Sequence, residues 1–128
     1  MAELGNRELG GRVIEAAIAV HTALGPGFPE PVYENALAVE LTVRGIWFNQ
    51  QKVVEILYRG VEVGEHRLEL LVEGVMLVEL KAVRELEDIV FMITRAQMKA
   101  ATMLNGTIFN FATIPLAVKR VAPCRIDS

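Results

Sequence analysis

Apolar residues recur at helical spacing in two segments near the start of the chain, residues 11–24 and 32–45. These residues are Val13, Ala16, Ala17, Val20 and Leu24 in the first segment, and Val32, Ala36, Val39 and Val43 in the second. The stretch between them, GPGFPEP at 25–31, holds two glycines and three prolines, a composition typical of a rigid turn. Gly45 is a natural stop for the second segment. The pattern therefore predicts two helices joined by a turn.

The pattern then changes to runs of β-branched and aliphatic residues. The runs are VVEILY at 53–58, HRLELLV at 66–72 and VMLVELKAV at 75–83. The turn-forming dipeptides at 59–60 (Arg-Gly) and 73–74 (Glu-Gly) separate them. We therefore predict three antiparallel strands in a meander.

The remainder of the chain returns to one helix and one or two strands. Residues 87–104 have helical spacing, whereas TIFNFA at 107–112 reads as a closing strand and LAVKRVA at 116–122 as a short final one. The apolar face of this third helix is formed by Ile89, Ile93, Ala96, Ala100 and Leu104. No repeat, low-complexity segment or linker interrupts the order. It predicts one domain, residues 1–128, of the α+β or mixed α/β class.

Composition and charge narrow the possible functions. Hydrophobic residues make up 52% of the chain, which excludes disorder, and the net charge of −3 argues against a dedicated basic surface for DNA. The charge is uneven: residues 1–83 hold twelve acids and seven Lys or Arg, while residues 84–128 hold four and six. Nucleic-acid binding would need the second part to face the phosphates and a cation to offset acids in the first part.

The same composition gives expectations about assembly and location. An apolar fraction this high in 128 residues favours a homodimer, because a surface rich in apolar area is usually covered. No apolar run approaches the length of a membrane helix, and the first twelve residues lack the apolar region of a signal peptide. Cys124 is the one cysteine, so no intramolecular disulfide or thiolate metal site is expected. We expect a cytoplasmic protein without a membrane partner.

Few residues are candidates for chemistry. Serine occurs only as Ser128, and Cys124 with the distant His21 and His66 is a poor set for thiol catalysis. No glycine-rich phosphate loop is present. The remaining candidates are acidic, basic and amide side chains: Glu30, Glu69, Glu79, Lys81 and Gln97.

The strand pattern constrains three of these residues. Glu79 and Lys81 point to one face of their strand, because side chains alternate with a period of two. A two-residue hairpin loop would pair Glu69 with residue 78 and put the two carboxylates on opposite faces. An odd loop, such as residues 72–74 with Gly74 left-handed, pairs Glu69 with residue 77 and puts them on one face. A shared site therefore predicts an odd loop.

A shared site would have a definite use. Two carboxylates in a partly dry pocket repel each other, which raises the pKa of one of them. A divalent cation such as Mg²⁺ removes the repulsion, prefers oxygen ligands, and can activate water and stabilise charge on a phosphodiester. Lys81 would then orient the water or stabilise the oxyanion.

Residues 27–33, GFPEPVY, have the spelling G-x-x-E-x-x-Y. The chain resembles the GxxExxY family of the PD-(D/E)XK nuclease-like superfamily over nearly its whole length, from about Gly11 to Val121. Segments that look like this family include AVHTALGPGF, YENALAVEL, RGIWFNQQ, VELKAV and NFATIPLAVKRV. The resemblance implies a PD-(D/E)XK nuclease-like core that uses Mg²⁺ or Mn²⁺ to hydrolyse DNA or RNA.

The resemblance also implies roles for individual residues. Glu79 and Lys81 match the E-x-K pair, and Gln97 matches the glutamine on the following helix. Glu69 stands where the family usually has aspartate, one methylene shorter. Glu30 matches a glutamate on the N-terminal helical part that is often an added metal ligand or a group that contacts the ligands. The implied metal set is Glu69, Glu79 and Glu30.

Two functions stay open at this point: a metal-dependent nuclease, and a catalytically inactive binding or assembly module on the same fold. Two side chains outside the candidate site are expected to be structural. Tyr33 is interpreted as a packing residue with a tethered hydroxyl. His21 is interpreted as a buried, hydrogen-bonded residue.

Overall fold

The computed structural model describes residues 2–123, with side chains from residue 7 onward. Cys124 and Ser128 therefore lie outside the described residues. The helices are α1 (Ala2–Leu24), α2 (Glu30–Val43) and α3 (Asp88–Ala101), and the strands are β1 (Phe48–Tyr58), β2 (Val61–Val72), β3 (Met76–Lys81), β4 (Asn105–Asn110) and β5 (Ala117–Val121). Every predicted helix and strand is present, in the predicted order.

The strands form one sheet in the order β1-β2-β3-β4-β5. The first three strands are antiparallel neighbours, which confirms the predicted meander. The crossover through α3 makes β4 parallel to β3, and β5 returns antiparallel to β4. The result is the predicted α+β fold, with three helices and one five-stranded mixed sheet in the described residues.

Helices cover both faces of the sheet. Leu70, Val78 and Phe109 point to the face covered by α1 and α2, where the larger apolar core forms. Leu77 and Ile108 point to the face covered by α3, where Met98 joins a smaller core. Each fully buried aliphatic side chain contributes about 1.5–3 kcal/mol relative to exposure, so the two cores hold β3 and β4 in the middle of the molecule.

The turn before α2 is fastened by Tyr33. Gly25 and Gly27 have φ of 69° and 115°, which glycine adopts without steric cost. The Tyr33 hydroxyl donates to the carbonyl of Gly25 (2.6 Å) and accepts from the amide of Phe28 (3.1 Å), while its ring stacks on Phe111 at 4.6 Å between centroids. These contacts confirm the structural interpretation of Tyr33.

The expectation for His21 is only partly correct. Its ring is half-buried and lies 5.9 Å from the ring of Phe111. Its Nε2 atom is buried but has no hydrogen-bond partner in the described part of the chain. Packing against Phe111, rather than a hydrogen bond, therefore holds this side chain.

The apolar rows predicted from the sequence lie on the buried face of α1 but on the exposed faces of α2 and α3. On α1, Val13 and Val20 are buried as predicted. On α2, the sheet is covered by Tyr33, Leu37 and Leu41, whereas the predicted row faces outward. On α3, the buried residues are Thr94, Gln97 and Met98, and the predicted apolar face is again the outer one. Because α2 and α3 both carry apolar residues on two sides, the periodicity does not indicate which side packs against the sheet.

The β2–β3 hairpin has the predicted parity. Val72 pairs with Met76, so the loop comprises the three residues 73–75, and Gly74 is left-handed with φ of 69°. The predicted pairing of Glu69 with residue 77 is wrong by two positions. The loop starts one residue later than expected, because Glu73 is also left-handed (φ 53°), and the same register continued places Glu69 opposite Glu79.

Among the described helices, none combines the length and the apolar character needed to cross a lipid bilayer.

Candidate active site

The two candidate carboxylates lie where β2 and β3 separate. The ladder between these strands runs from Val72–Met76 to Leu70–Val78 and then ends. At the next position, the amide of Glu69 donates to Oε2 of Glu79 (3.1 Å), and the amide of Leu80 donates to Oε1 of Glu69 (2.6 Å). Each carboxylate thus accepts a hydrogen bond from the backbone of the other strand.

A left-handed residue in β1 accompanies this separation. Gln50 pairs with Leu70 and Lys52 pairs with Leu68, but Gln51 between them has φ of 57° and no ladder partner. Simple alternation would put Leu68 and Leu70 on one face of β2, yet they belong to opposite cores. The register of β1 and β2 is the same on both sides of Gln51, so no residue is inserted, but the sheet is irregular at the level of Glu69.

The environment of the pair disfavours two negative charges. Glu79 is only 6% exposed, and burial, together with the charge of Glu69, raises its pKa to about 8. Burial likewise raises the pKa of Glu69 to about 7, and the charges of Glu34 and Glu30 add to the rise. The backbone hydrogen bonds and the charge of Lys81 lower both pKa values but do not cancel the effect of burial.

Each carboxylate keeps one oxygen available. Oε2 of Glu69 and Oε1 of Glu79 accept no hydrogen bond from the described residues, and neither belongs to the buried polar atoms that lack a partner. Both oxygens are therefore open to solvent. Lys81 is half-buried and makes no ion pair within 4 Å in the described part of the chain. These groups are thus in a position to meet a cation or a substrate.

A further carboxylate, Glu34, belongs to this region and is not predicted from the sequence. Only 9% exposed, it accepts hydrogen bonds from Nε2 of Gln50 (2.8 Å) and Nε2 of Gln51 (2.9 and 3.0 Å). Its charge raises the pKa of both Glu69 and Glu79, whereas that of Glu30 acts on Glu69. The signal that could have found it is its spacing of four residues from Glu30, which puts both on one face of α2.

Glu30 itself is the first residue of α2, with Pro31 in the first helical turn. Proline usually keeps the preceding residue out of the helical conformation, so the helical state of Glu30 is a departure from that expectation. The helix thus begins two residues before the segment predicted from the sequence.

Gln97 lies on the buried face of α3. The side chain is 7% exposed, and its Oε1 atom is buried without a hydrogen-bond partner among the described residues. It donates to or accepts from none of Glu69, Glu79 and Lys81 there. The structure therefore brings together Glu69, Glu79 and Lys81, places Glu30 and Glu34 within electrostatic range, and leaves Gln97 unconnected to them.

Asn110, which the sequence does not single out, fixes the chain that follows Lys81. It lies opposite Lys81 on β4 and is 2% exposed. Its side-chain oxygen accepts from the amides of Val83 (3.1 Å) and Ala112 (3.2 Å), and its Nδ2 donates to the carbonyl of Val83 (2.8 Å). These bonds hold the end of β3 against β4.

Comparison with known proteins decides the family. A family model described as the PD-(D/E)XK nuclease superfamily matches residues 7–121. The chain belongs to the PD-(D/E)XK nuclease superfamily. Searches among curated proteins and among solved structures return no match. The finer resemblance, to the GxxExxY family, stays a prediction.

PD-(D/E)XK nucleases generally use divalent metals, so the fit of this site to such an ion matters. Within the described residues, no group of three or more His, Cys, Asp or Glu side chains is arranged to hold a metal ion. Mg²⁺, however, is usually held by one or two carboxylates together with waters and substrate phosphates. Glu69 and Glu79 offer two adjacent carboxylates, each with an open oxygen, and a cation would offset their repulsion. This donor pair fits Mg²⁺ or Mn²⁺.

Proposed function

We propose that this chain is a divalent-metal-dependent nuclease that hydrolyses phosphodiester bonds in DNA or RNA. The observation that carries the proposal is the pair formed by Glu69 and Glu79, which are buried, joined to each other's strands and followed by Lys81. Membership of the PD-(D/E)XK nuclease superfamily supports the same chemistry.

The proposed mechanism assigns a role to each group. A bound Mg²⁺ or Mn²⁺ would supply positive charge beside the scissile phosphate and make water more acidic. Glu69 and Glu79 would hold the cation through their open oxygens. Lys81 would orient the attacking water or stabilise the negative charge that develops on the phosphoryl oxygens. Asn110 would keep Lys81 in place by fixing the chain after it.

Glu30 and Gln97 would support the site from outside the pair. Glu30, at the N-terminus of α2 and within electrostatic range of Glu69, is proposed as the third member of the metal set. The buried, unpartnered Oε1 of Gln97 is an acceptor of the kind that needs a partner in a functional state. We also infer that the protein acts in the cytoplasm and as a homodimer.

The second candidate function is a catalytically inactive module that binds a nucleic acid or another protein. Two observations favour it. One oxygen of each carboxylate is engaged by a backbone amide, and no group of three side-chain ligands is arranged around one ion in the described part of the chain. A fold of this kind does not fix an activity.

A cleavage assay separates the two functions. Parent protein, Glu79→Gln and Lys81→Ala would be incubated with single- and double-stranded DNA and RNA, with Mg²⁺, Mn²⁺ or EDTA. The nuclease proposal predicts metal-dependent cleavage by the parent and a loss of at least about 100-fold in each variant, as expected when a charge-stabilising group is removed. Glu65→Gln and Lys52→Ala, at exposed positions on the β1–β2 hairpin, are the matched controls and should cleave like the parent. Activity that survives both site substitutions would reject the proposed site.

A further inference from the structure

The outer face of α3 carries an exposed row of apolar side chains. Ile89 is 53% exposed, Met92 61% and Ile93 46%, and Ala96 continues the row one turn later. The opposite face of the helix already packs on the sheet through Met98. Because exposed apolar residues are normally scattered singly, a contiguous row on one helix indicates an interaction surface.

A cavity extends this row toward the β1–β2 hairpin. It has a volume of about 480 Å³ and separates the hairpin residues Ile56 and Leu57 from Ala96 and Ala100 of α3. The large residues of the row therefore lie in the first half of the helix, and the space beside small residues lies in the second half. A helix approaching in the opposite direction would place large residues over that space.

The charged residues of α3 are also divided between the two halves of the helix. Asp88, Arg95 and Lys99 lie on one side of the helix, in line with Met92, because their spacing is that of helical neighbours. The acid is in the first turn and the two bases are in the second half. In the described part of the chain none of the three makes an ion pair within 4 Å.

We propose that this face joins two copies of the chain, with their α3 helices antiparallel across a twofold axis between Met92 and Ile93. A twofold interface needs a self-complementary surface, and this arrangement provides one. Ile89 lies over the partner's Ala96 and fills the space beside it. Asp88 lies between the partner's Arg95 and the partner's Lys99, twice in the dimer.

The outer row of α2 does not have this property. Val39 and Val43 are 64% and 75% exposed, but the charged residues of α2, Glu30, Glu34 and Glu40, are all acidic. Glu34 is buried, and Glu40 is already paired with Arg44 just after the helix (2.7 Å), so α2 offers a second copy no free basic side chain to meet an acid. Charge complementarity therefore selects α3 as the contact between copies.

A dimer of ordinary size needs more surface than α3 alone provides. A stable interface buries about 800 Å² on each partner, which is more than one 14-residue helix provides. Tyr58 and Val61, a cross-strand pair at the hairpin tip, are 65% and 63% exposed and extend the surface beyond α3. The hairpin thus belongs to the proposed interface.

Sedimentation of the intact chain at low and high micromolar concentrations tests the proposal. The parent should have twice the mass of one chain, and Met92→Glu should raise the dissociation constant at least tenfold. Val39→Glu, an equally exposed change on α2, is the matched control and should leave the dimer intact. A parent that stays monomeric at every concentration, or a dimer lost with Val39→Glu and kept with Met92→Glu, would overturn the proposal.

A charge exchange tests the antiparallel orientation without touching the apolar row. Lys99→Glu alone and Asp88→Lys alone should each weaken the dimer, since both place like charges opposite each other. The double variant should recover most of the affinity. A double variant as weak as the single ones contradicts the arrangement, and thermal unfolding of each variant confirms that the chain is folded. Neither test depends on nuclease activity.

Discussion

Among individual residues, Glu69 and Glu79 matter most, because each accepts a hydrogen bond from the backbone of the other's strand. Glu69 and Glu79 stand opposite each other at the point where the β2–β3 ladder ends, and their oxygens take the place of ladder carbonyls. Such bonds stabilise a carboxylate, but burial outweighs them and raises the pKa of both groups. The pair therefore holds protons near neutral pH and is costly to ionise without a cation.

This cost makes stability depend on pH. The pKa of Glu79 rises from 4.5 to about 8 on folding, so the folded protein binds more protons than the unfolded chain between these values and loses stability as pH increases. Glu79→Gln removes the ionising group. We expect the variant to unfold at nearly the same temperature as the parent at pH 4 and to be more stable by on the order of 2 kcal/mol at pH 9.

Thermal unfolding at a series of pH values, in EDTA, measures this difference. The exposed Glu65→Gln is the control and should follow the parent at every pH. A Glu79→Gln variant that gains no stability at high pH would show that the carboxyl is not held in a costly environment.

At the scale of elements, α2 is tied to β1 beside the site. Gln51, which has a left-handed backbone, and its neighbour Gln50 both donate their side-chain amides to the carboxylate of Glu34. The same carboxylate raises the pKa of both members of the pair. One contact between a helix and a strand therefore both positions α2 and sets the electrostatics of the cleft.

Glu34→Ala should change both the stability of the fold and the pKa values of the pair, and the two effects can be measured separately. The change leaves the Gln51 amide without its acceptor and the Gln50 amide with Asn35 alone, which should destabilise the fold by about 1–3 kcal/mol. It also removes a negative charge, so the pKa of Glu69 and of Glu79 should fall. Carboxyl titration by NMR measures the pKa values and denaturant unfolding measures the stability. Asn35→Ala, which removes one exposed bond to Gln50, is the control and should leave both pKa values in place. Unchanged pKa values in Glu34→Ala would contradict the electrostatic role.

The sequence predicts these elements well but not the details that make the site. The period of two in β3 puts Glu79 and Lys81 together, and the need for a shared site predicts the odd loop. The register itself depends on Glu73 being left-handed, which sequence does not signal in a non-glycine residue. The left-handed conformation of Gln51, another non-glycine residue, likewise has no sequence signal, so its contact with Glu34 is not predicted.

At the scale of the whole molecule, the two faces of α3 have different uses. Its inner face closes the smaller core through Met98 and buries Gln97, while its outer face is the proposed contact between copies. The acidic pair belongs to β2 and β3, whereas the proposed interface belongs to the outer face of α3 and the β1–β2 hairpin. Loss of the dimer by Met92→Glu should therefore leave the metal site intact, and this separation can be tested by metal binding in the monomeric variant.

The most direct test of the central claim is calorimetric titration of Mg²⁺ and Mn²⁺ into the parent protein at pH 6.5 and pH 8.5. If Glu69 and Glu79 hold the cation, binding should be tighter at the higher pH, should release protons at the lower one, and should weaken at least tenfold in Glu79→Gln and in Glu69→Gln. Glu65→Gln should bind like the parent. Binding that is independent of pH and unaffected by both site substitutions, or no binding at either pH, would contradict the account.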